Sequence, residues 1–109
     1  MRFVLAVALL LAGSSGAFAE DALLQFHATW CGPCRSMRPA VAKIEAAGYP
    51  VQRIDVDKNQ KLASRYRVRK LPTFVVIHDG KEQGRLTGTT DFVGLEKLLR
   101  GGGVRKKAK

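Results

Sequence analysis

The chain has 109 residues, 46% of them hydrophobic and 26% charged, with 19 Lys and Arg against 9 Asp and Glu for a net charge of +10. This length holds one domain, and this composition excludes a disordered polar chain while leaving enough apolar residues for one packed core. The positive balance favours acidic surfaces in general and selects no particular partner.

The chain opens with "MRFVLAVALLLAGSSGAFA". Arg2 precedes an apolar run from Phe3 to Ala12, and Ala17-Phe18-Ala19 closes it with a small-x-small pattern. That layout predicts a secretory signal peptide at residues 1–19, cleaved near Ala19. The unbroken run is shorter than the roughly 20 residues that span a bilayer, which argues against an anchor. No Cys lies near the cleavage point to carry a lipid. The expected protein is exported, periplasmic or secreted, with its domain at residues 20–100.

"ALLQFHA" (22–28) is a short apolar run that predicts a buried strand. From Gly32 to Ala47, Met37, Ala40, Val41, Ile44 and Ala47 recur at helical spacing. Gly48 and Pro50 end that helix, and Pro39 should kink it. "VQRIDVD" (51–57) alternates as a strand does. Residues 58–67 predict a short helix with Leu62, Ala63 and Tyr66 on one face. "TFVVIHD" (73–79) is a strong strand, Asp79-Gly80 a turn, and "QGRLTGT" (83–89) a weaker strand at hairpin distance. Asp91 opens a last helix with Phe92, Leu95, Leu98 and Leu99 inward. The glycines at 101–103 should end order and leave residues 101–109 as a flexible Gly/basic tail. The order β-α-β-α-β-β-α predicts an α/β fold, a central mixed sheet of about four strands flanked by helices.

Both cysteines lie in "WCGPC" (30–34). A bond between Cys31 and Cys34 closes so short a loop that it staples little. Cys31 follows a strand and starts a helix, where unpaired N–H groups and a partial positive charge favour the nucleophilic thiolate. Cys34 lies one turn on, faces the same side and can bond back to Cys31. Pro33 fits the first turn, and Gly32 leaves room for another chain. Cys31 is therefore read as attacking a partner's disulfide and Cys34 as resolving the mixed disulfide. Zinc would need His27 and His78 as further ligands, but their spacing is not that of a zinc site. No metal and no cofactor is expected.

"WCGPC" resembles the active site of the thioredoxin family. "LPT" (71–73) resembles that family's cis-proline loop, "DGK" (79–81) its hairpin turn, and Gly88 a glycine that follows. The resemblance spans residues 22–100 and implies a thioredoxin-like fold trimmed at the N-terminus. It implies that Cys31 is the nucleophile, Cys34 the resolver, Trp30 a shield over the site, and Pro72 cis and pressed on the disulfide. The backbone at Leu71 would pair with an extended substrate, with Gly32, Pro33 and Thr73 shaping the site.

Two positions depart from the family. Gln25 stands where the family carries a buried Asp that helps move the resolving thiol's proton. Gln cannot act as a base, so water or another group does this, or turnover near neutral pH is slower. His27 stands where the family often has an aromatic residue, and it can tune the thiolate if it sits near Cys31. Arg35, Arg38, Arg65, Arg67, Arg69 and Lys70 make the surroundings basic, which can stabilise the thiolate and attract acidic partners.

The expected protein is a monomeric thiol-disulfide oxidoreductase that reduces protein disulfides outside the cytoplasm. A membrane or soluble thiol donor would re-reduce it. The alternatives are a disulfide oxidase or isomerase, and a non-catalytic module that binds through the same groove. The basic tail can make weak contact with anionic membrane. No aromatics interleave with it, which argues against a specific nucleic-acid reader.

Overall fold

The structure, a computed structural model, describes residues 18–107. The expected signal peptide thus lies, up to residue 17, outside the described residues. Four strands form one sheet: β1 (Ala22–His27), β2 (Val51–Asp55), β3 (Thr73–His78) and β4 (Lys81–Thr87). The helices are α1 (Gly32–Ser36), α2 (Arg38–Ala46), α3 (Gln60–Arg65) and α4 (Phe92–Gly101). The sheet order is β2-β1-β3-β4, with β1 parallel to β2, β3 antiparallel to β1, and β4 antiparallel to β3. This is the mixed four-stranded sheet the sequence predicts. Among the described residues, no helix is long and apolar enough to cross a membrane.

β1 and β3 are the inner strands, and each is buried along its length up to its final histidine. Their continuous apolar runs follow from being covered on both faces. Leu23, Phe74 and Val76 pack with Met37, Val41 and Ile44 on one face, beside Leu95 and Leu99 of α4. Leu24, Phe26, Val75 and Ile77 pack on the other with Ile54, Tyr66, Leu62 and Ala63. Strand alternation therefore places Gln25 and His27 on the face of α1 and α2, with Leu23.

The helix expected over Gly32–Ala47 is two helices, broken at Met37. Pro39 has no N–H to give and its ring excludes the carbonyl one turn back. The Met37 N–H instead closes α1 onto the Cys34 carbonyl at 3.1 Å, and the Val41 N–H restarts the ladder on the Met37 carbonyl at 3.0 Å. The last strand begins two residues earlier than the sequence suggests. Asp79 (φ 55°) and Gly80 (φ 76°) both occupy the left-handed region, and His78 pairs directly with Lys81.

The segment from Gly101, expected to be loose, is anchored to the fold at Gly102, Val104 and Lys107, with the residues between exposed. Gly103 (φ 90°) takes the left-handed position after α4, the Gly103 N–H bonds to the Arg100 carbonyl and the Val104 N–H to the Leu99 carbonyl. This double bond pattern closes a helix end and throws the next apolar side chain back onto it. Val104 is fully buried in the core, and the Lys107 N–H reaches the Gly48 carbonyl at 2.8 Å. Glycine is needed here for closeness as well. A Cβ on Gly102 would lie 2.6 Å from Val76 Cγ1, and one on Gly103 2.7 Å from the His78 ring. Lys106 lies over the Tyr49 ring, 5.8 Å from its centroid, so part of the basic segment is engaged within the fold.

The sheet end away from the cysteines is tied by an ion pair. His78 Nδ1 lies 2.8 Å from Asp21 Oδ2, and the Asp79 N–H donates to Asp21 Oδ1 at 3.2 Å. The hydrogen bond to Asp21 raises the His78 pKa above its ordinary 6.5, and the same bond lowers Asp21 below its ordinary 3.8. The histidine's contribution is complete below 6.5 and is lost as pH rises through its raised value; the aspartate's is present above 3.8 and is lost as pH falls through its lowered value. The urea midpoint should therefore be highest between these limits and fall on both sides. His78→Asn should remove the alkaline fall, measured by urea unfolding across pH; an unchanged alkaline fall in that variant would refute the assignment.

Candidate active site

β1 delivers the chain to a tight turn in which the Cys31 N–H bonds to the Ala28 carbonyl at 3.2 Å. Cys31 then caps α1 with extended backbone, φ −90° and ψ 108°. Its Sγ accepts the Cys34 N–H at 3.1 Å. Pro33 stands in the first turn, where a missing N–H costs nothing. The two cysteines form a disulfide with Cα atoms 5.3 Å apart. Because α1 has only five residues, the electrostatic help to Cys31 is local. It comes from the Cys34 N–H itself, whose bond to the sulfur would be charge-assisted on a thiolate.

Both cysteines are nearly buried, at 5% and 4% exposure, and pack with Ala28, Val56 and Leu71. Trp30, expected to shield them, stands 67% exposed. Its Nε1–H donates to Asp57 Oδ2 at 2.8 Å, which holds the indole upright beside the pair. The Leu71–Pro72 peptide is cis, and Pro72 is buried. That loop is fixed on both sides: the Gly88 N–H bonds to the Pro72 carbonyl at 2.8 Å and the Thr73 hydroxyl donates to the Lys70 carbonyl at 2.6 Å.

These pieces line an open groove. Trp30, Cys31, Gly32 and Pro33 form one wall, Arg69, Lys70 and Leu71 the other, with Val56 and Val68 between. The structure thus unites Trp30, Cys31, Gly32, Pro33 and Leu71. Thr73 supports the loop from beneath, buried at 1% exposure. Arg69 and Lys70 form no ion pair among the described residues.

The tuning candidates lie elsewhere. Gln25, His27 and Arg35 line a separate pocket of about 230 Å³ behind the pair, together with Cys34, Arg38 and Arg53. His27, considered as a neighbour of Cys31, shares its pocket with Cys34 instead. Arg35 donates to the Thr29 carbonyl at 2.8 Å and so braces the turn before Cys31. Arg53 donates to Glu45 at 2.7 Å.

The four residues weighed as zinc ligands are not brought together. His78 ends β3 at the far end of the sheet, and the cysteines are bonded to each other. Asp21, His78 and Asp79 cluster there, but the two histidine nitrogens already face the two carboxylates at 2.8 and 3.4 Å. Sequence reasoning missed Asp57, since its partner Trp30 is 27 residues away and no local pattern marks it.

A family model described as Thioredoxin matches residues 16–100. The chain is 40% identical over 78 residues to thioredoxin-1 of Drosophila melanogaster, covering 67% of this chain and 73% of that protein. It is 38% identical over 80 residues to the thioredoxin of Chlamydia pneumoniae, covering 71% and 78%. Among solved structures it resembles a point-mutant thioredoxin from Halobacterium salinarum, with a TM-score of 0.69, 40% identity and coverage of 74% and 73%. The oxidised mitochondrial thioredoxin 3 of Saccharomyces cerevisiae superposes with a TM-score of 0.67 at 35% identity, covering 74% and 77%.

Trp30 is the only tryptophan in the chain, so its emission reports the groove wall. Asp57→Ala should free the indole and lower its fluorescence anisotropy, while changing stability by less than about 0.5 kcal/mol, as exposed substitutions do. Unchanged anisotropy would show that the bond does not hold the ring.

Proposed function

Because the chain belongs to the thioredoxin family, as a thioredoxin-like protein-disulfide reductase with Cys31 and Cys34 as its redox pair, we propose that it works outside the cytoplasm and passes electrons outward to substrate disulfides. The observation that carries this reading is the position of Cys31. Its sulfur takes a backbone N–H at the start of α1 while the residue lines an open groove. An extended substrate segment lies along that groove between Trp30 and Leu71, pairing with the backbone beside Pro72 as an added strand. Gly32 adds no side chain to the near wall beside the Pro33 ring, and Thr73 keeps the proline loop in place.

The Cys31 thiolate attacks one substrate sulfur, forming a mixed disulfide and releasing the other sulfur as a thiolate. Cys34 then attacks Cys31 Sγ, closes the Cys31–Cys34 bond and releases the second substrate thiol. Two electrons have moved from the dithiol to the substrate. A membrane or soluble thiol donor returns them, and the domain acts as a monomer.

Export is supported by the pattern of residues 1–19. Cleavage after Ala19 leaves Asp21 and its bond to His78 in place, at the loss of Phe18, whose ring centroid lies 6.4 Å from that of Tyr66. Arg69 and Lys70, without ion-pair partners among the described residues, favour the opposite direction, and the Cys34 N–H on Cys31 Sγ acts in the same sense. Cations beside Cys31 stabilise the reduced, thiolate form and so raise the potential.

The potential therefore tests the direction. Equilibrated with glutathione or dithiothreitol, residues 20–109 should give a value near the roughly −270 mV of thioredoxin. A value displaced towards about −120 mV would mean that the protein donates disulfides, and would overturn the reductase reading. Cys31→Ser should abolish insulin reduction in the same preparation, and a mature N-terminus at Glu20 in the exported fraction should confirm the compartment.

A further inference from the structure

The pocket behind the disulfide has a composition that the exchange reaction at the groove does not explain. Cys34 shares it with Gln25, His27, Arg35, Arg38 and Arg53. Before Cys34 can attack the mixed disulfide, its thiol must give up a proton, because the thiolate is the nucleophile. A buried thiol needs a route for that proton. The residue is only 4% exposed, and this pocket is a space it borders.

The side chains around the pocket leave one candidate to receive the proton. Arginine stays protonated at any working pH, and an amide does not titrate. An imidazole ring nitrogen, by contrast, can both accept and donate a proton, and His27 supplies the one imidazole on this pocket. Strand alternation turns Gln25 and His27 to the same side of β1, towards α1 and α2. Gln25 is 2% exposed, and its Oε1 has no hydrogen-bond partner among the described residues. A buried amide oxygen of this kind seeks a donor, and a space of about 230 Å³ admits several waters at about 30 Å³ each. His27 is itself part-exposed, so it can pass a proton on to solvent.

We propose that His27 accepts the Cys34 proton, and returns it in the reverse step, through water held by the Gln25 amide in this pocket. In the forward step the Cys34 S–H bond breaks and the proton passes by water to His27, giving imidazolium. The Cys34 thiolate bonds to Cys31 Sγ, and the bond between Cys31 and the substrate sulfur breaks with the electron pair leaving on that sulfur. The released thiolate takes a proton from solvent, and His27 loses its proton to solvent. The charged groups around this pocket are Arg35 from α1, Arg38 from α2 and Arg53 from β2, the last bonded to Glu45 of α2 at 2.7 Å, and Asp55 stands beside His27 in the β1–β2 register. Asp55 Oδ1 already accepts the Asp57 N–H at 2.9 Å. The arginines stabilise the thiolate left on Cys34. His27 is thus a positioning and proton-transfer residue that acts on the sulfur through water.

The inference rests on the disulfide exchange proposed above, and a two-phase experiment separates the two. Reduced protein is mixed with the chromogenic disulfide dithiobis(nitrobenzoate), and thiol release is followed by stopped flow. The first equivalent reports attack by Cys31 and the second reports resolution by Cys34. His27→Gln should leave the first phase intact and slow the second about ten- to a hundredfold. The second phase should also lose its dependence on pH in the range where imidazoles titrate. In His27→Ala, added imidazole should restore the second phase. A second phase with unchanged rate and pH profile, equal slowing of both phases, or no rescue by imidazole would overturn the role of His27. Absence of the first phase in the unaltered protein would overturn the exchange mechanism itself.

Discussion

The antiparallel pairing of β1 with β3 is what the rest of the structure hangs on. Phe26 stands opposite Thr73 and Ala22 opposite Ile77, so the outgoing end of β1 meets the incoming end of β3. Cys31 follows the first of these ends and Pro72 precedes the second. The pairing alone brings together two short motifs that lie far apart in the chain. Its energetic basis is the burial of both strands on both faces, with Leu23, Leu24, Phe26, Phe74, Val75 and Val76 all at zero exposure. Each such side chain contributes about 1.5–3 kcal/mol when taken out of water. A one-residue slip would turn Gln25 into the apolar layer around Phe26 and carry Phe26 to the site face. The register that builds the core therefore also builds the site.

The disulfide divides two environments. On the Cys31 side is a groove with an exposed indole, a fixed proline loop and free backbone, suited to holding a polypeptide. On the Cys34 side is a small pocket rich in cations with one imidazole and one buried amide. The two sulfurs thus border different cavities although they are three positions apart. The short α1, stopped by Pro39, keeps them so. It positions the Cys34 N–H on the Cys31 sulfur and ends before the chain can carry Cys34 round to another face. Arg35 and the Trp30–Asp57 bond then secure the turn from both sides.

At the other end of the sheet the fold is closed by polar and glycine contacts. Asp21 and His78 link the entrance of β1 to the exit of β3. Beside them Gly103 lies against the His78 ring and Val104 fills the core under α4. Both cysteines lie at the other end of the sheet. This end holds the termini of the central strands in register, which leaves the opposite end free to be open.

Sequence by itself determined the elements and their order. Apolar runs marked the two inner strands, because burial on both faces leaves no polar position. Asp79-Gly80 marked the hairpin, because that turn needs left-handed backbone. Spacing in "WCGPC" marked the redox pair, because one helical turn sets two sulfurs within bonding reach. The resemblance carried by "LPT" marked the cis peptide, which no local preference in the chain requires. What only tertiary structure decided depends on partners distant in sequence. The glycines at 101–103 read as a loose end, because Gly102 and Gly103 serve to admit Val76 and His78 at distances no Cβ allows. The tether that holds Trp30 at the site was not legible, because Asp57 comes from another strand's exit. Which cysteine His27 would accompany was open in the sequence, where Cys31 is the nearer one along the chain. His27 lies with Cys34 because the break at Met37 and the alternation of β1 decide which sulfur the sheet face meets. Local rules act over one turn or one pleat, and these three outcomes required the whole sheet to be assembled first.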